Sequence, residues 1–230
     1  MDRQKQDELK QAAAKQAAGL VEDGMILGVG TGSTVKFFID ELGRRKEEGL
    51  ALKAVVTTSS RSRKQLEGLG FTVSELADID QADLTVDGAD RVDKQLNGIK
   101  GGGAALTLEK NVAVNSKKNV WIVDESKVVD HLSGFPLPVE VLPISCEQNK
   151  RRFEAEGLNP QFRLNADGSR LKTHYGNYIL DLHVDSVPVP SGLADYLDHT
   201  VGVVEHGLFL DICDEVIIAR DNGEIETRCR

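Results

Sequence analysis

Apolar residues along the first half of the chain recur with two alternating periods. Leu9, Ala13, Ala17 and Leu20 fall on one face of a helix, Asp23-Gly24 marks a turn, and residues 25–29 form a short apolar run suited to a buried strand. Val35, Phe38, Ile39 and Leu42 then recur at i, i+3, i+4 and i+7, which predicts a second amphipathic helix directly after a Gly-Thr-Gly-Ser-Thr loop. The unit repeats, with a strand at 53–57, the hydroxyl-rich loop Thr58-Ser59-Ser60, and a helix over 61–69 closed by Gly70. Further strands are predicted at 71–73, 84–86 and 120–123, the last two separated by a glycine-rich segment and another helix. Such alternation predicts an α/β fold, a mainly parallel Rossmann-like sheet with helices on both faces. Ligands of such sheets bind at the carboxyl ends of the strands.

The pattern changes after Phe135-Pro136-Leu137-Pro138. A strand at 139–142, a helix at 147–156, strands at 161–164 and 178–184, a helix at 193–197 and a strand at 201–205 give the order β-α-β-β-α-β. That order predicts an inserted ferredoxin-like α+β module. The apolar run 215–219 suits a buried strand of the first domain. The expected division is residues 1–131 with 207–230 for the α/β domain, and 132–206 for the insert.

Charge narrows the partners. The 230 residues carry 28 basic and 37 acidic side chains, a net charge of −9, with no local Lys/Arg block, so nucleic acid and anionic membrane are poor partners. No run approaches about 18 apolar residues, and residues 1–15 lack the apolar centre of a leader peptide, which points to the cytoplasm. Cys146, Cys213 and Cys229 are far apart and outside any C-x-x-C spacing, so they read as reduced thiols. Asp181, His183 and Asp185 alternate with Leu180, Leu182 and Val184, the pattern of a half-buried strand with a solvated face and not of a metal site.

Four loops at strand ends carry the candidate chemistry. Gly28-Val29-Gly30-Thr31-Gly32-Ser33-Thr34 opens a helix, where free amides and the helix dipole favour an anion; Ser33 and Thr34 either cap the helix or bind phosphate oxygens. The dinucleotide fingerprint lacks its third small residue at Ser33, and the Lys of a Walker loop is absent. Asp87-Gly88-Ala89-Asp90 puts two carboxylates after a strand, able to hold sugar hydroxyls or move protons; with no histidine or further acid close by, a metal is not expected. Lys100-Gly101-Gly102-Gly103-Ala104-Ala105 brings backbone close to a ligand beside a positive charge, and Gly102, Ala105 and Glu109 at i, i+3 and i+7 suggest a glutamate on a helical face too small to cover it. Asp124-Glu125-Ser126-Lys127 adds a second lysine at the same sheet edge.

In order and spacing these segments, together with Phe135-Pro136-Leu137-Pro138-Val139-Glu140-Val141 and Gly202-Val203-Val204-Glu205-His206-Gly207-Leu208-Phe209, resemble the A-type ribose-5-phosphate isomerases over nearly the whole chain. The resemblance implies interconversion of ribose 5-phosphate and ribulose 5-phosphate in the pentose phosphate pathway, with no metal or organic cofactor, in a homo-oligomer (dimer or tetramer) whose contact would involve the inserted domain. It makes Glu109 the base, with Asp87 and Lys100 also catalytic. Thr31, Gly32, Ser33 and Thr34, then Asp87, Gly88, Ala89 and Asp90, then Lys100, Gly101, Gly102 and Gly103, and finally Lys127, would bind substrate. Arg91, Leu108 and His174-Tyr175 depart from the family pattern at positions outside this set.

Two other classes stand beside the isomerase. A non-catalytic sugar-phosphate sensor on the same scaffold would bind without turnover, but no helix-turn-helix segment precedes the sheet. A glutamate-nucleophile transferase for acyl or CoA groups would reveal itself by a covalent intermediate and ping-pong kinetics.

Overall fold

A computed structural model describes residues 3–230; Met1 and Asp2, the start of the segment read for a leader, lie outside the described residues. In chain order the elements are α1 (Arg3–Ala18), β1 (Ile26–Val29), α2 (Ser33–Glu47), β2 (Ala54–Thr57), α3 (Ser60–Gly68), β3 (Leu84–Asp87), β4 (Arg91–Val92), β5 (Gly98–Ile99), α4 (Leu106–Val114) and β6 (Asn119–Asp124). They continue with β7 (Leu137–Val141), α5 (Cys146–Ala155), β8 (Pro160–Phe162), β9 (Tyr178–Leu182), α6 (Pro190–Asp198), β10 (Val203–His206), β11 (Leu208–Phe209), β12 (Glu215–Ala219) and β13 (Ile225–Cys229). None of the described helices is long and apolar enough to cross a membrane.

The chain divides into two units. The first runs through Ala89 and resumes over Leu108–Val128 and Asp211–Arg230; the second comprises Asp90–Thr107 and Val129–Leu210. The first unit is built on a six-stranded sheet in the order β13-β12-β6-β3-β1-β2, parallel except for the β12–β13 edge pair. Strands β3, β6 and β12 are buried at every residue, as expected where helices cover both faces. Alternation sorts the two faces. Leu27, Val29, Leu84, Val86, Val120, Ile122 and Ile217 join Ala13, Ala17, Phe38, Ile39 and Leu42 of α1 and α2 in one core. Gly28 and Thr85 turn the other way, against Val112 of α4.

The second unit holds a four-stranded antiparallel sheet in the order β10-β7-β9-β8, with α5 between β7 and β8 and α6 between β9 and β10. This is the ferredoxin-like connectivity. Its core gathers Leu137, Val139 and Val141 of β7 with Phe153, Leu180, Leu182 and Leu197. A separate three-stranded sheet, β11-β5-β4, lies in the same unit.

Several expectations are corrected. The division differs from 1–131/132–206/207–230, because residues 90–107 pair through β4 and β5 with β11 and belong to the second unit. Residues 71–73 make only an isolated parallel bridge, Val55 with Val73, since the polar stretch beyond gives no further pairing. Of the face expected to be solvated, His183 and Asp185 are exposed, whereas Asp181 is half-buried in an ion pair with Arg163. Gly102 and Ala105 precede α4, which starts at Leu106, so they share no helical face with Glu109.

Candidate active site

In the first unit the carboxyl ends of β1, β2, β3 and β6 lie along one edge of the sheet. At β1 the chain turns through Gly30, Thr31 and Gly32 into α2. Gly32 is the N-cap, with φ of 116° and no side-chain capping bond, and neither Ser33 nor Thr34 hydroxyl bonds another described residue. Of the two roles open to those hydroxyls, capping is therefore not used, and the first-turn amides of the 15-residue helix have two hydroxyls beside them without a described partner.

Asp87, at the end of β3, is 3% exposed, and its Oδ1 accepts the amides of Thr31 at 3.1 Å and Gly88 at 2.7 Å. The carboxylate thus clips the β1 loop to the β3 loop. Gly30 is required by that clip, because a Cβ built there would lie 1.8 Å from Asp87 Oδ1. A hydroxyl relay ties in the β2 loop: Thr31 Oγ1 donates to Ser59 Oγ at 3.1 Å, Ser59 also caps α3 through the Ser62 amide, and Ser62 Oγ donates to the Gly30 carbonyl at 2.9 Å. The sequence shows Thr58-Ser59-Ser60 as a hydroxyl-rich loop and gives no sign of the part played by Ser62. Their bonding to the β1 loop spans about thirty residues and leaves no local signal.

After β6, Asp124 caps the short turn Glu125–Lys127 through the Ser126 amide. Glu125 pairs with Arg220 at 2.7 Å, and the Asp221 amide and Arg220 hold its carboxyl below the usual range. Glu125 is thereby matched to its own cation, whereas Lys127 makes no ion pair with a described residue. Glu109 stands in the first turn of α4 and is 4% exposed, an unusual burial for a glutamate.

The other residues singled out in the sequence belong to the second unit. Lys100 follows β5, is 3% exposed, donates its amide to the Gly207 carbonyl at 2.9 Å, and sets its ammonium over the Phe209 ring at 5.4 Å. Asp90 Oδ2 accepts the Gly102 amide at 2.8 Å, and a Cβ on Gly102 would lie 2.8 Å from Asp90 Oδ1. Gly101 and Ala104 both have positive φ, 107° and 59°, so the glycine turn is tight and Ala104 is held in a conformation disfavoured for a side chain. Glu140 of β7, 1% exposed, accepts from Thr107 of the first turn of α4, from Thr173 at 2.7 Å and from Asn177 at 2.9 Å. That buried carboxylate anchors the start of the helix that carries Glu109, a role the sequence pattern did not reveal.

Two of the departures lie beside these clusters: Arg91 donates to the Asp90 carbonyl at 2.6 Å, and Leu108 precedes Glu109 in the first turn of α4. Arg91 binds the Ser133 and Gly134 carbonyls and lies over Phe135, and His174 and Tyr175 are exposed. Asp198, Glu205 and His206 have potential metal-ligand atoms within 4.8 Å of one another. His206, however, accepts the Leu208 amide on Nδ1 and meets Asp198 through Nε2, so both ring nitrogens are already engaged.

Residues 54–223 match the family model of ribose 5-phosphate isomerase A (phosphoriboisomerase A). Over 230 residues, the whole of both chains, the sequence is 83% identical to a ribose-5-phosphate isomerase A of Lactobacillus delbrueckii subsp. bulgaricus. It is 74% identical over 231 residues, again the whole of both chains, to the one of Lactobacillus johnsonii. The fold superimposes on ribose 5-phosphate isomerase A of Neisseria gonorrhoeae with a TM-score of 0.90 and 37% identity, covering 97% of each chain. A D-ribose-5-phosphate isomerase in complex with phospho-erythronic acid gives a TM-score of 0.94 and 33% identity over 100% of each chain. The chain belongs to the ribose 5-phosphate isomerase A family.

Proposed function

We propose that Glu109 is the base that moves a proton between C1 and C2 in the aldose–ketose isomerisation of ribose 5-phosphate and ribulose 5-phosphate, the reaction of this chain's family. The observation that carries this reading is a glutamate 4% exposed in the first turn of a helix, entered directly from a lysine and three glycines. The reaction opens the sugar ring, removes a weakly acidic proton beside a carbonyl, and holds an enediolate until the proton returns to the adjacent carbon. One carboxylate near the C1–C2 bond serves both transfers, and such a base contributes about 10²–10⁴ in rate. Asp87 or Asp90 handles the ring hydroxyl, while Lys100 and the loop amides stabilise the developing oxyanion. Phospho-erythronic acid, bound in the solved relative, is a phosphorylated open-chain acid whose carboxylate resembles the oxygens of an enediolate, which supports this reading.

The phosphate belongs on the amino end of α2, and Lys127 adds a positive charge on the same sheet edge. Replacing Ser33 and Thr34 together by Ala is expected to raise KM for ribose 5-phosphate about tenfold or more, the loss of two hydrogen bonds to a charged group. The same change leaves kcat/KM for unphosphorylated ribose nearly unaltered. Steady-state assays of ketose formation by chelator-treated parent and variant check this; equal effects on both sugars contradict the phosphate placement. A homo-oligomer, dimer or tetramer, in the cytoplasm completes the reading. The exposed apolar side chains Ile144 and Val201 support placing the subunit contact on the second unit.

A further inference from the structure

Arg163 follows β8, far in sequence from every residue assigned to substrate, yet all three of its guanidinium nitrogens are engaged. Its Nε donates to Asp181 Oδ2 at 2.8 Å and its Nη2 to Asp181 Oδ1, a two-point pairing that fixes the plane of the fork. The remaining nitrogen, Nη1, donates to the Gly101 carbonyl at 2.7 Å and to the Gly102 carbonyl at 3.0 Å. Both partners of the ion pair are only 15% exposed, so water competes weakly for it.

The consequence follows from peptide geometry. In a planar trans peptide the N–H points opposite to the C=O. The Gly101 carbonyl belongs to the peptide whose N–H is that of Gly102, and that N–H is the one that meets Asp90 on the far side from Arg163. The Gly102 carbonyl belongs to the next peptide, so Arg163 turns the Gly103 N–H to the Asp90 side as well. Two successive amides facing one way form a shallow anion-binding nest. A charged donor on both carbonyls also polarises the two peptides and strengthens their N–H groups as donors.

We propose that Arg163, oriented by Asp181, is a positioning residue for the isomerisation: it sets the Lys100–Gly103 turn so that the Gly103 amide is presented to the oxygens of the substrate as the enediolate forms. The inference rests on the reading of Lys100 to Gly103 as sugar-binding. Lysine cannot replace the arginine, because a single ammonium cannot hold both carboxylate oxygens in plane and reach two carbonyls.

The test compares Arg163→Ala, Arg163→Lys and Asp181→Asn with the parent, measuring kcat and KM for ribose 5-phosphate, thermal midpoint, and the response of Arg163→Ala to millimolar methylguanidinium. The expected result is a fall in kcat of about 10–100-fold with KM moved by no more than about threefold. Arg163→Lys should resemble Arg163→Ala, and methylguanidinium should restore part of kcat. A merely structural role predicts a lowered thermal midpoint, parental kcat per folded molecule and no chemical rescue; that result overturns the proposal. If Arg163→Ala does not fold, Asp181→Asn, nearly isosteric, decides by the same kcat criterion. Lys100→Met separates the two layers. Loss of turnover there with parental kcat in the folded Arg163 and Asp181 variants refutes this inference alone, whereas parental turnover in Lys100→Met refutes the sugar-binding reading beneath it.

Discussion

Glu109→Gln is expected to lower kcat by at least about 100-fold while ribose 5-phosphate still binds. Gln keeps the size of the side chain and its ability to hydrogen bond, so a position that is 4% exposed is refilled without a cavity or a new clash. What disappears is basicity, and with it the only stage of the reaction that needs a group to take a proton from carbon and return it. The effect therefore falls on kcat, with KM changed little. Steady-state kinetics combined with a direct binding measurement check both halves. A sugar-phosphate sensor would show no turnover in the parent and the same affinity in the variant. Full-length relatives that bear isomerase names do not favour that reading.

Gly30→Ala is expected to produce the second large effect, and for a steric reason. Gly30 does not take a positive φ, so the obstacle to alanine there is steric. Its Cβ, however, would lie 1.8 Å from Asp87 Oδ1 and 1.9 Å from Cγ of the same side chain. Either the loop or the carboxylate has to move, and the amides of Thr31 and Gly88 lose their common acceptor. Overpacking costs about 1–3 kcal/mol and each lost bond to a charged acceptor about 1.5–3 kcal/mol. A shift of about 1 Å in a catalytic loop costs about 100-fold in rate. The expected outcome is a folded variant with a reduced thermal midpoint and kcat/KM lowered about 100-fold, checked by calorimetry and steady-state assay. An unchanged kcat/KM would show that the Asp87 clip is dispensable.

The sequence made these elements legible to different degrees, and the differences have physical causes. The α2 helix was plain because Val35, Phe38, Ile39 and Leu42 all bury one face. Strands β3, β6 and β12 were plain because burial on both faces leaves continuous apolar runs. The two-residue strands β4, β5 and β11 are too short to carry any period, so residues 90–107 were placed with the first unit and not the second. The edge strand β13 was missed because Ile-Glu-Thr-Arg-Cys mixes charged and apolar positions.

In the loops, residue types were legible and partners were not. Gly30 was read as part of a ligand loop, whereas its nearest constraint is Asp87, a residue 57 positions later that reaches it only through the β1–β3 pairing. Asp181 was read as a solvated strand residue because alternation shows which face a side chain takes and not what crosses to meet it. Arg163 reaches it from the adjacent strand end. In the sequence Glu140 stands out only as part of the 135–141 segment, with no sign of its partners. Its three donors, Thr107, Thr173 and Asn177, are brought to it by the fold of the second unit.

The central claim, that a single carboxylate carries the proton between C1 and C2 through an enediolate, is tested most directly by the fate of deuterium placed at C2 of ribose 5-phosphate. Turnover in ordinary water, followed by NMR of recovered ribulose 5-phosphate, should show part or all of the label lost to solvent, with any remainder at C1, because a proton held on a carboxylate exchanges before it returns. Complete transfer of the label from C2 to C1, with none in solvent, would contradict the predicted exchange and point to a hydride shift instead.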